Sequence, residues 1–529
     1  MAGGLLNLVT GGSQNEIIYG NPQKTYWTNT FKQITNFGLQ NFRLDYEGLR
    51  QVQVSSDTVY SFKVNRYAEL LTETFFVIQL PDIYSSYIVE SGINQPYEFK
   101  WIKNIGAMMI RSIRFTIGGS LIQQMTGADI VALANRDLTI SQKNKWDTMV
   151  GNTVDMYDPA SSDGRFGKYP NAIYYSNGAE PSIRGRQLRV PLPIWWGLNS
   201  QQAFPLVCLQ YNELHIEVTL RPIRELFQIR DITNTTGNTN NVIAPNMIIA
   251  EHHFNRFIHS PPEVPGNYTL TSTSWNENTH LSCTYCFLSE QEAIVFATRE
   301  QKYLVRELYD TWFHDVSITD KLWLQNSTGL VLNWMIMMRR SDVSTRNEWS
   351  NYTNWPYDYL PINIKETSLI DPNLNTMYQT GEYSEENQKD ILLTLGILFD
   401  GTVREETRSA DIYKYEQQYL TSNGGGFSSL SGMYCYNFCL HTDPFTIQPS
   451  GSINLSKYSK IELEITTITP TLNPNAVTLT ICDPFSGQQI GVNKAMTKLY
   501  NYTYDLMAIE ERYNILTFIG GNASLMHAR

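Results

Sequence analysis

The sequence contains no apolar run long enough to cross a membrane. The best candidate, Leu330–Met338, has nine residues and includes Asn333, whereas a spanning helix needs about 20, so this run is typical of a core strand. The first residues, MAGGLLNLVTGG, lack the basic region of a secretory signal peptide, and Ala2 stands where myristoylation requires glycine. We therefore expect a soluble protein made in the cytosol.

Positive charge is also scarce. The 529 residues include 40 Lys and Arg against 51 Asp and Glu, which gives a formal net charge of −11. The densest basic segments, Arg184–Arg189 and Arg339–Arg340, are short, so we expect no direct binding to nucleic acid. Charged residues make up only 17% of the chain, below the usual quarter or so. A surface with so little charge is typical of a subunit that has neighbours, and also of some large monomeric β proteins.

Cysteine is infrequent. The six residues are Cys208, Cys283, Cys286, Cys435, Cys439 and Cys482. A long chain without a secretion signal favours reduced thiols over disulfides. The two close pairs, 283 with 286 and 435 with 439, could together form a zinc site. Both pairs lie in alternating apolar runs, however, which favours buried free thiols.

The usual signatures of catalysis and cofactor binding are missing as well. The segment Glu251–His253 is a poor metal site, because adjacent histidines on a strand point in opposite directions and no third ligand is suitably spaced. Gly424–Gly426 is not followed by the Lys-Ser/Thr of a phosphate-binding loop. Neither His215 nor His314 is accompanied by a Gly-x-Ser-x-Gly motif. We predict no catalytic, cofactor-binding or metal-binding residues, no cofactor and no enzymatic activity.

The sequence is rich in strand-forming and turn-forming residues. It contains 32 Tyr, 22 Phe and 11 Trp, with 33 Gly and 22 Pro. Within the stretch Arg186–Pro222, apolar and polar residues alternate without a fault over Leu214–Arg221, which predicts a half-buried strand. Pro191 and Pro193 confine the upstream segment Leu188–Trp196 to a strand edge or a short strand before a turn. Together the two segments predict a strand pair that belongs to a large β core.

Other segments join this stretch in a recognisable order. The stretch Arg186–Pro222 contains VPLPIWW, then a Pro-Leu step and then LQYNELHIEVTL. The other segments are GNPQKTYWTNTFKQITNF at Gly20–Phe37, IRFTIGGSLIQ within Ile105–Gln123, QPSGSINLSKYSKIELEI at Gln448–Ile465, and Tyr500–Ala528 with its YNIL and Gly-Gly. In content and order these five segments resemble the double jelly-roll major capsid proteins of large nucleocytoplasmic DNA viruses. The resemblance spans nearly the whole chain.

The resemblance implies an all-β chain of two consecutive jelly rolls, each an eight-stranded β-sandwich, with short helices and long loops. The expected divisions are an N-terminal arm over 1–24, the first jelly roll over 25–300, the second over 301–515 and a tail over 516–529. Long loops are expected at 155–185 and 222–280, because these segments are irregular and polar. The second of these loops is longer and more polar than the family leads one to expect. In the family, the arm lies on the inner side of the capsomer.

Local patterns predict the individual elements. In the first half we expect strands over Val52–Val64, Leu70–Leu80, Ile113–Ile117, Leu281–Phe287 and Ala293–Ala297, and helices within Trp101–Ile110 and Ala128–Val150. In the second half we expect a helix over Ala410–Leu420 and strands over Lys302–Leu308, His314–Ile318, Lys321–Gln325, Leu330–Met338, Ile391–Phe399, Met433–Leu440, Lys460–Thr467 and Ala476–Cys482.

By resemblance the chain is a major capsid protein, of which three copies form a pseudo-hexameric capsomer of an icosahedral virion shell assembled in the host cytoplasm. Expected partners are the chain itself, neighbouring capsomers, penton and minor capsid proteins, and an internal viral membrane. Trp195, Trp196 and the loop Tyr169–Tyr175 are candidates for trimer contacts, although core packing is favoured for both tryptophans. The alternatives are a minor virion or penton protein, usually with one jelly roll, and a glycan-binding β-sandwich protein with paired carboxylates in a cleft.

Overall fold

Strands that pair into two β-sandwiches form the framework of the chain, as shown by a computed structural model. The structure describes residues 3–85, 88–89, 92–93, 97–165, 168–175, 177–231, 242–260, 270–355, 389–422, 424, 432–470, 479–482, 489–493 and 502–527. The main strands of one sandwich lie between residues 37 and 288, and those of the other between 301 and 519. The expected all-β architecture is therefore confirmed.

The first sandwich has eight main strands, each antiparallel to its neighbours. They are β1 (Phe37–Leu44), β2 (Thr58–Lys63), β3 (Leu70–Gln79), β4 (Ile110–Ile117), β5 (Ser120–Met125), β6 (Gln187–Pro191), β7 (Leu214–Leu220) and β8 (His280–Leu288). One sheet has the order β1-β8-β3-β6 and the other has the order β2-β7-β4-β5. Strands from the two ends of the domain thus alternate in each sheet, which is the topology of a jelly roll.

The second sandwich repeats this arrangement. Its main strands are β9 (Gln301–Val316), β10 (Thr319–Trp323), β11 (Leu330–Arg340), β12 (Leu392–Phe399), β13 (Thr402–Ser409), β14 (Met433–Asn437), β15 (Ile461–Thr467) and β16 (Tyr504–Ile519). Its sheets have the orders β9-β16-β11-β14 and β10-β15-β12-β13. Counted from its own first strand, the second sandwich has the same strand order as the first.

Short strands and helices fill the connections between the main strands. The short strands are Ile88–Val89, Gly92–Ile93, Tyr97–Trp101, Ile173–Tyr175, Gly178–Glu180, Phe204–Pro205, Phe227–Asp231, Val242–Ile243, Ile453–Asn454, Leu479–Cys482, Gln489–Asn493 and Asn522–Leu525. The α-helices are α1 (Gly3–Val9), α2 (Glu16–Tyr19), α3 (Ile105–Met108), α4 (Gly127–Asp137), α5 (Ile140–Met149), α6 (Val154–Tyr157), α7 (Trp195–Leu198), α8 (Asn255–Ile258), α9 (Glu290–Thr298) and α10 (Gln417–Thr421).

The alternating segment Leu214–Arg221 forms the central strand that its pattern predicts. Strand β7 buries every second residue and pairs with β2 on one side and β4 on the other. The upstream segment forms β6, which lies at the edge of the other sheet and pairs with β3, as its prolines require. The expectation of a strand pair was wrong, because β6 and β7 belong to the two facing sheets rather than to one ladder.

The helical segment after β5 is two helices rather than one. Helix α4 ends at Asp137, and Leu138 has an extended conformation with ψ of 136°. Thr139 then caps α5: its side chain accepts a hydrogen bond from the Gln142 N–H, and the Gln142 side chain accepts one from the Thr139 N–H. This reciprocal capping box starts a new helix within the single periodic pattern that the sequence presents.

The strand expected over Ala293–Ala297 is part of helix α9. Glu290 and Glu292 lie in its first turn, where acidic side chains interact favourably with the helix dipole. A short apolar run does not distinguish a strand from a helix by itself. This helix links the two sandwiches and has no fully buried residue, so the apolar side chains that suggested a core strand lie largely at the surface.

Three other boundaries differ from expectation. In the segment Val52–Val64 only β2 is a strand, because the turn-forming residues 55–57 precede it. His314–Ile318 is not a separate strand; β9 continues into it with an irregularity at Asp315, whose φ is +55°. The arm, expected to lack folded elements, contains the short helices α1 and α2, neither of which buries a side chain.

The end of the chain continues the second sandwich. Strand β16 runs to Ile519, past the division expected at residue 515, and pairs with Asn522–Leu525. Gly520 and Gly521 form the turn with φ of +59° and +83°, a backbone conformation that suits glycine in two-residue hairpins. The limits of the arm, the two jelly rolls and the tail stay predictions. The segments 232–241 and Gly425–Gly426 lie outside the described residues.

Candidate assembly site at the seam between the sandwiches

The two sandwiches are joined along a buried surface, here called the seam, where the sheet β9-β16-β11-β14 packs against the first sandwich and α4. Alternate residues of β11 contribute to different cores. Met335 and Met337 belong to the same apolar cluster as the first sandwich, whereas Trp334 and Ile336 belong to the core of the second. Burial on both faces explains why Leu330–Met338 is almost continuously apolar.

Arg136 lies at the centre of the polar part of the seam. It is near the end of α4, and its side chain is completely buried. Its Nε and Nη2 donate to the two carboxylate oxygens of Asp137 at 2.7 and 2.9 Å. Its Nη1 donates across the seam to Glu511 Oε2 on β16 and to Asn333 Oδ1 on β11, both at 3.0 Å. One guanidinium group thus connects the two sandwiches.

A second arginine balances the charge of this cluster. Arg306 on β9 lies 3.5 Å from Glu511 Oε1 and also donates to the Thr442 carbonyl at 2.9 Å. Asn333 donates to Glu511 Oε2 at 2.7 Å. Burial alone would raise the pKa of Glu511, but the guanidinium groups of Arg136 and Arg306 outweigh it and hold that pKa below its usual value. The two carboxylates and two guanidinium groups form a neutral, hydrogen-bonded network.

A loop after β11 reaches over the first sandwich and adds polar contacts. Asn347 donates through Nδ2 to the carbonyls of Arg224 and Phe227 at 2.7 and 2.9 Å. The Trp349 indole N–H donates to the Glu225 carbonyl at 2.9 Å. Gln228 of the first sandwich in turn donates to Glu348 of the loop at 2.7 Å. These bonds satisfy backbone and side-chain groups that the contact between the sandwiches would otherwise bury without partners.

The same loop is stiffened by buried ion pairs of its own. Asp342 accepts two hydrogen bonds from Arg340, at 2.9 and 2.6 Å, and further bonds from Arg346. Although burial opposes ionisation, these two guanidinium groups hold the pKa of Asp342 well below its usual value. The carboxylate therefore stays charged at neutral pH and fixes the loop that contacts the first sandwich.

The candidates for trimer contacts are distributed between core and surface. Trp195 and Trp196 are 3% and 1% exposed and pack in the core of the first sandwich, so the favoured role in core packing is confirmed for both. In the loop Tyr169–Tyr175, the Tyr169 hydroxyl donates to the Phe99 carbonyl at 2.5 Å. Tyr175 is exposed, and it remains a candidate for contact with another copy.

Among the described residues, the histidines and cysteines considered as metal ligands do not form a metal-binding arrangement. His252 lies on a 3-10 turn rather than on the expected strand; it is buried and its ring packs edge-on against Tyr97. Cys283 and Cys435 are buried free thiols in β8 and β14. Within the described part of the chain, no three Cys, His, Asp or Glu side chains are grouped so that they could hold a metal ion.

Sequence comparisons relate the chain to viral capsid proteins. Residues 25–259 match a family described as the major capsid protein N-terminus. The major capsid protein of Phaeocystis pouchetii virus is 31% identical over 244 residues, which cover 45% of this chain and 44% of that protein. The chain thus spans less than half the length of this relative. The major capsid protein of Paramecium bursaria Chlorella virus 1 is 22% identical over 100% of both chains.

Solved structures share the fold over nearly the whole chain. VP54 of PBCV-1, fitted into a reconstruction of the virophage Sputnik, superposes with a TM-score of 0.62 at 17% identity, covering 96% of this chain and 100% of that one. The Faustovirus major capsid protein superposes with a TM-score of 0.61 at 12% identity, covering 94% and 93%. The resemblance to the double jelly-roll major capsid proteins of large nucleocytoplasmic DNA viruses is thereby confirmed. These relatives are structural proteins rather than enzymes.

This double jelly-roll chain exposes an unusual amount of apolar surface at its start. Over residues 3–36 every residue except the half-buried Asn15 is exposed. The exposed large apolar side chains there are Leu5, Leu6, Leu8, Val9, Ile17, Ile18, Tyr19, Tyr26, Trp27, Phe31 and Ile34. Apolar surface of this extent is typical of a segment that another molecule covers. Among the described residues, no helix is long and apolar enough to span a bilayer.

The central residues of the seam were not predicted from the sequence. Arg136 and Glu511 carry no local motif, because Arg136 reaches Asn333 and Glu511 across 197 and 375 residues of the chain. One hint was available: Asn333 interrupts an otherwise apolar run, and a polar residue within a doubly buried strand needs a buried partner.

We expect the buried thiols of this chain to resist alkylation. Burial raises the pKa of Cys208 to about 11 and those of Cys283 and Cys435 to about 12, so at pH 8 roughly one thiol in 1,000 to 10,000 is ionised. Treatment with iodoacetamide at pH 8 followed by mass measurement should leave the five buried thiols unmodified in the folded chain, namely Cys208, Cys283, Cys286, Cys435 and Cys439, and should add six groups after denaturation in urea. Rapid addition of two or more groups to the folded chain would contradict the burial described.

Removal of the Arg136 guanidinium should destabilise the protein strongly. Arg136→Met keeps a side chain of similar length but leaves Asp137 and Glu511 buried without their main partner, which costs about 3–5 kcal/mol of the free energy of unfolding. The measurement is the urea midpoint followed by tryptophan fluorescence.

The matched control for this substitution is Arg43→Met. Arg43 pairs with Asp45 at 2.7 Å, but the two side chains are 49% and 66% exposed, so its removal should change the free energy of unfolding by less than about 1 kcal/mol. Equal shifts of the urea midpoint in both variants would mean that the buried network does not stabilise the seam.

Proposed function

We propose that this protein is a major capsid protein, the repeating subunit of an icosahedral shell around a large DNA virus. The observation that carries the proposal is the repeated strand order of the two sandwiches, joined by the buried seam. Two similar units held in one fixed arrangement are suited to a lattice position with approximate sixfold symmetry. The full-length similarity to the major capsid protein of Paramecium bursaria Chlorella virus 1 supports the same role.

The assembly unit in this proposal is a trimer. Three chains with two similar sandwiches each bring six sandwiches around one axis, which gives a block of pseudo-hexagonal outline that can tile a flat facet. An obligate interface of this kind buries more than roughly 2,000 Å² and is largely apolar. Contacts between neighbouring blocks would be smaller and reversible, so that misplaced blocks can leave a growing shell.

Exposed apolar side chains of the second sandwich are candidates for such contacts. Tyr419 and Leu420 of α10 are 87% and 60% exposed, and Leu440 is 71% exposed. The Thr442 N–H donates to the Thr421 carbonyl at 3.0 Å, which brings the segment containing Leu440 close to the end of α10. A cluster of large apolar side chains on a surface marks a protein interface more often than an isolated one does.

The other proposed partners are inferred from the N-terminal arm and from the net charge of the chain. The apolar arm is suited to the inner side of the shell, against neighbouring capsomers, penton and minor capsid proteins, or the internal membrane expected beneath the shell. A net charge of −11 disfavours direct contact with the genome. The proposed location is the virion capsid, with assembly in the host cytoplasm. A penton protein of the same lineage is the nearest alternative, but two complete sandwiches in one chain favour the major subunit.

The trimer is tested by the mass of the purified chain in solution. Light scattering should give a stable particle with three times the chain mass of 60.7 kDa, and electron microscopy of that particle should show a hexagonal outline. Because an obligate apolar interface depends little on screened charges, the mass should be the same at low and at high salt.

Two results would contradict the trimer. A monomer that persists at all concentrations and salt conditions would mean that the chain does not associate by itself. A fivefold particle would support the penton alternative instead. The variant Tyr211→Ser serves as a control for nonspecific association through an exposed aromatic side chain, since Tyr211 is 75% exposed and its removal should leave a trimer held by a large interface intact.

A further inference from the structure

The first half of β1 is an open edge of the first sandwich. Among the described strands, β1 pairs only with β8, which leaves its other edge free. Every residue over 37–41 is exposed, so both faces of the strand are open there as well. Phe37 and Leu39, which lie on the same face, are 51% and 60% exposed. An open edge of this kind is a template for pairing with another strand.

This edge lacks the usual protection against such pairing. Charged side chains and proline are the common devices that keep an edge strand from pairing with other chains. Edge strand β13 has alternating blocks of charge in TVREETRS, and edge strand β6 ends at Pro191. Residues 37–42 of β1, FGLQNF, contain neither a charge nor a proline.

The exposed face of β1 continues into an apolar surface beside it. Phe37 lies opposite Leu288 of β8, and Leu39 lies opposite Cys286; residues directly opposite each other share a face of the sheet. Cys286 and Leu288 pack in one small cluster with Phe296 of helix α9. The exposed start of β1 and the adjoining surface of β8 and α9 are here called the edge patch.

The segment 25–35, here called the entry segment, has the composition of a strand but no strand partner. It reads TYWTNTFKQIT, in which 8 of 11 residues are β-branched or aromatic, the types favoured in strands. None of these residues lies in a strand, and all are exposed, with Trp27 94% and Phe31 86% exposed. A single strand is not stable by itself, so the entry segment is suited to pair with an existing strand edge.

The entry segment has no turn that would return it to the edge of its own β1. A tight two-residue hairpin requires residues with positive φ, most often Gly or Asn. Residues 23–36 contain no glycine, and none of them has a positive φ. The chain therefore runs from the entry segment directly into β1. The matching edge for the entry segment is that of a second copy.

The entry segment and the edge patch also carry opposite charges. Lys24 and Lys32 are the only charged residues between positions 20 and 36. On the patch, Glu292 lies in the first turn of α9, and Glu69 accepts a hydrogen bond from the last N–H of β8 at 3.0 Å. Opposite charges at the rim of an interface select the partner and its orientation.

We propose that the entry segment of one copy adds as a strand to the open edge of β1 in the next copy, with Trp27 and Phe31 against the edge patch. These two side chains share one face of an extended strand, as Phe37 and Leu39 do. Each copy provides one segment and receives one, and such a head-to-tail exchange can close into a ring. The inference rests on the proposed self-association and identifies one of its contacts.

Carbodiimide crosslinking of the purified full-length oligomer tests this exchange. The reagent joins amines to carboxylates that touch, so Lys24 and Lys32 should become linked to Glu69, Glu290 or Glu292. Peptide mapping should find these links in covalent dimers and trimers separated on a denaturing gel. The double variant Lys24→Arg, Lys32→Arg keeps both charges without a primary amine, so it should lose the links while its mass by light scattering stays unchanged.

Trypsin cleavage after Lys24 and Lys32 measures independently whether the entry segment is covered. Both sites should be cleaved slowly in the wild-type oligomer. Leu39→Ser removes an apolar contact of the edge patch and should speed cleavage roughly tenfold. Leu49→Ser is the matched control, because Leu49 is 101% exposed and lies outside β1 and α9, and it should leave the cleavage rate unchanged.

The results distinguish failure of the exchange from failure of the proposed trimer. Links that map only to the monomer band would mean that the entry segment covers its own chain, which would overturn the exchange. A stable trimer that trypsin cleaves equally fast in wild type, Leu39→Ser and Leu49→Ser would also overturn it and leave the proposed function intact. A wild-type chain that is monomeric by light scattering would contradict both.

Discussion

The ion network around Arg136 is the interaction on which the arrangement of the two sandwiches depends. A fully buried guanidinium group is tolerated only where its donors and its charge are matched, and here Asp137, Glu511 and Asn333 provide that match from both sides of the seam. The apolar contacts of the seam would by themselves permit sliding, whereas the hydrogen bonds of Asn347 and Trp349 to the first sandwich oppose it. The hydrogen bonds of Arg136 require one register between α4 and β16, so they give the seam its specificity.

In the proposed shell, the fixed register lets one chain occupy two lattice positions. Each sandwich buries its own core, but the sheet β9-β16-β11-β14 is apolar on both faces and would be exposed without the first sandwich. The two sandwiches therefore form one body rather than two domains on a linker. A shell built from such bodies needs fewer contacts between separate molecules, and each contact can be weaker.

Strand content and the double jelly roll were predictable from the sequence because alternation and the five ordered motifs are local features. Strand β7 shows this most clearly. Helix α9 was misassigned because a five-residue apolar run fits either element, and the break between α4 and α5 depends on the cap at Thr139. The seam was beyond prediction, since Arg136 and Glu511 come together only through the tertiary fold.

Because they share the seam, the two sandwiches should unfold as one cooperative body. Hydrogen exchange followed by mass spectrometry at increasing urea tests it most directly, with one peptide from β8 in the first sandwich and one from β15 in the second. Both peptides should lose protection over the same range of urea, because unfolding of either sandwich opens the seam. Loss of protection in β15 at clearly lower urea, with β8 still protected, would contradict it.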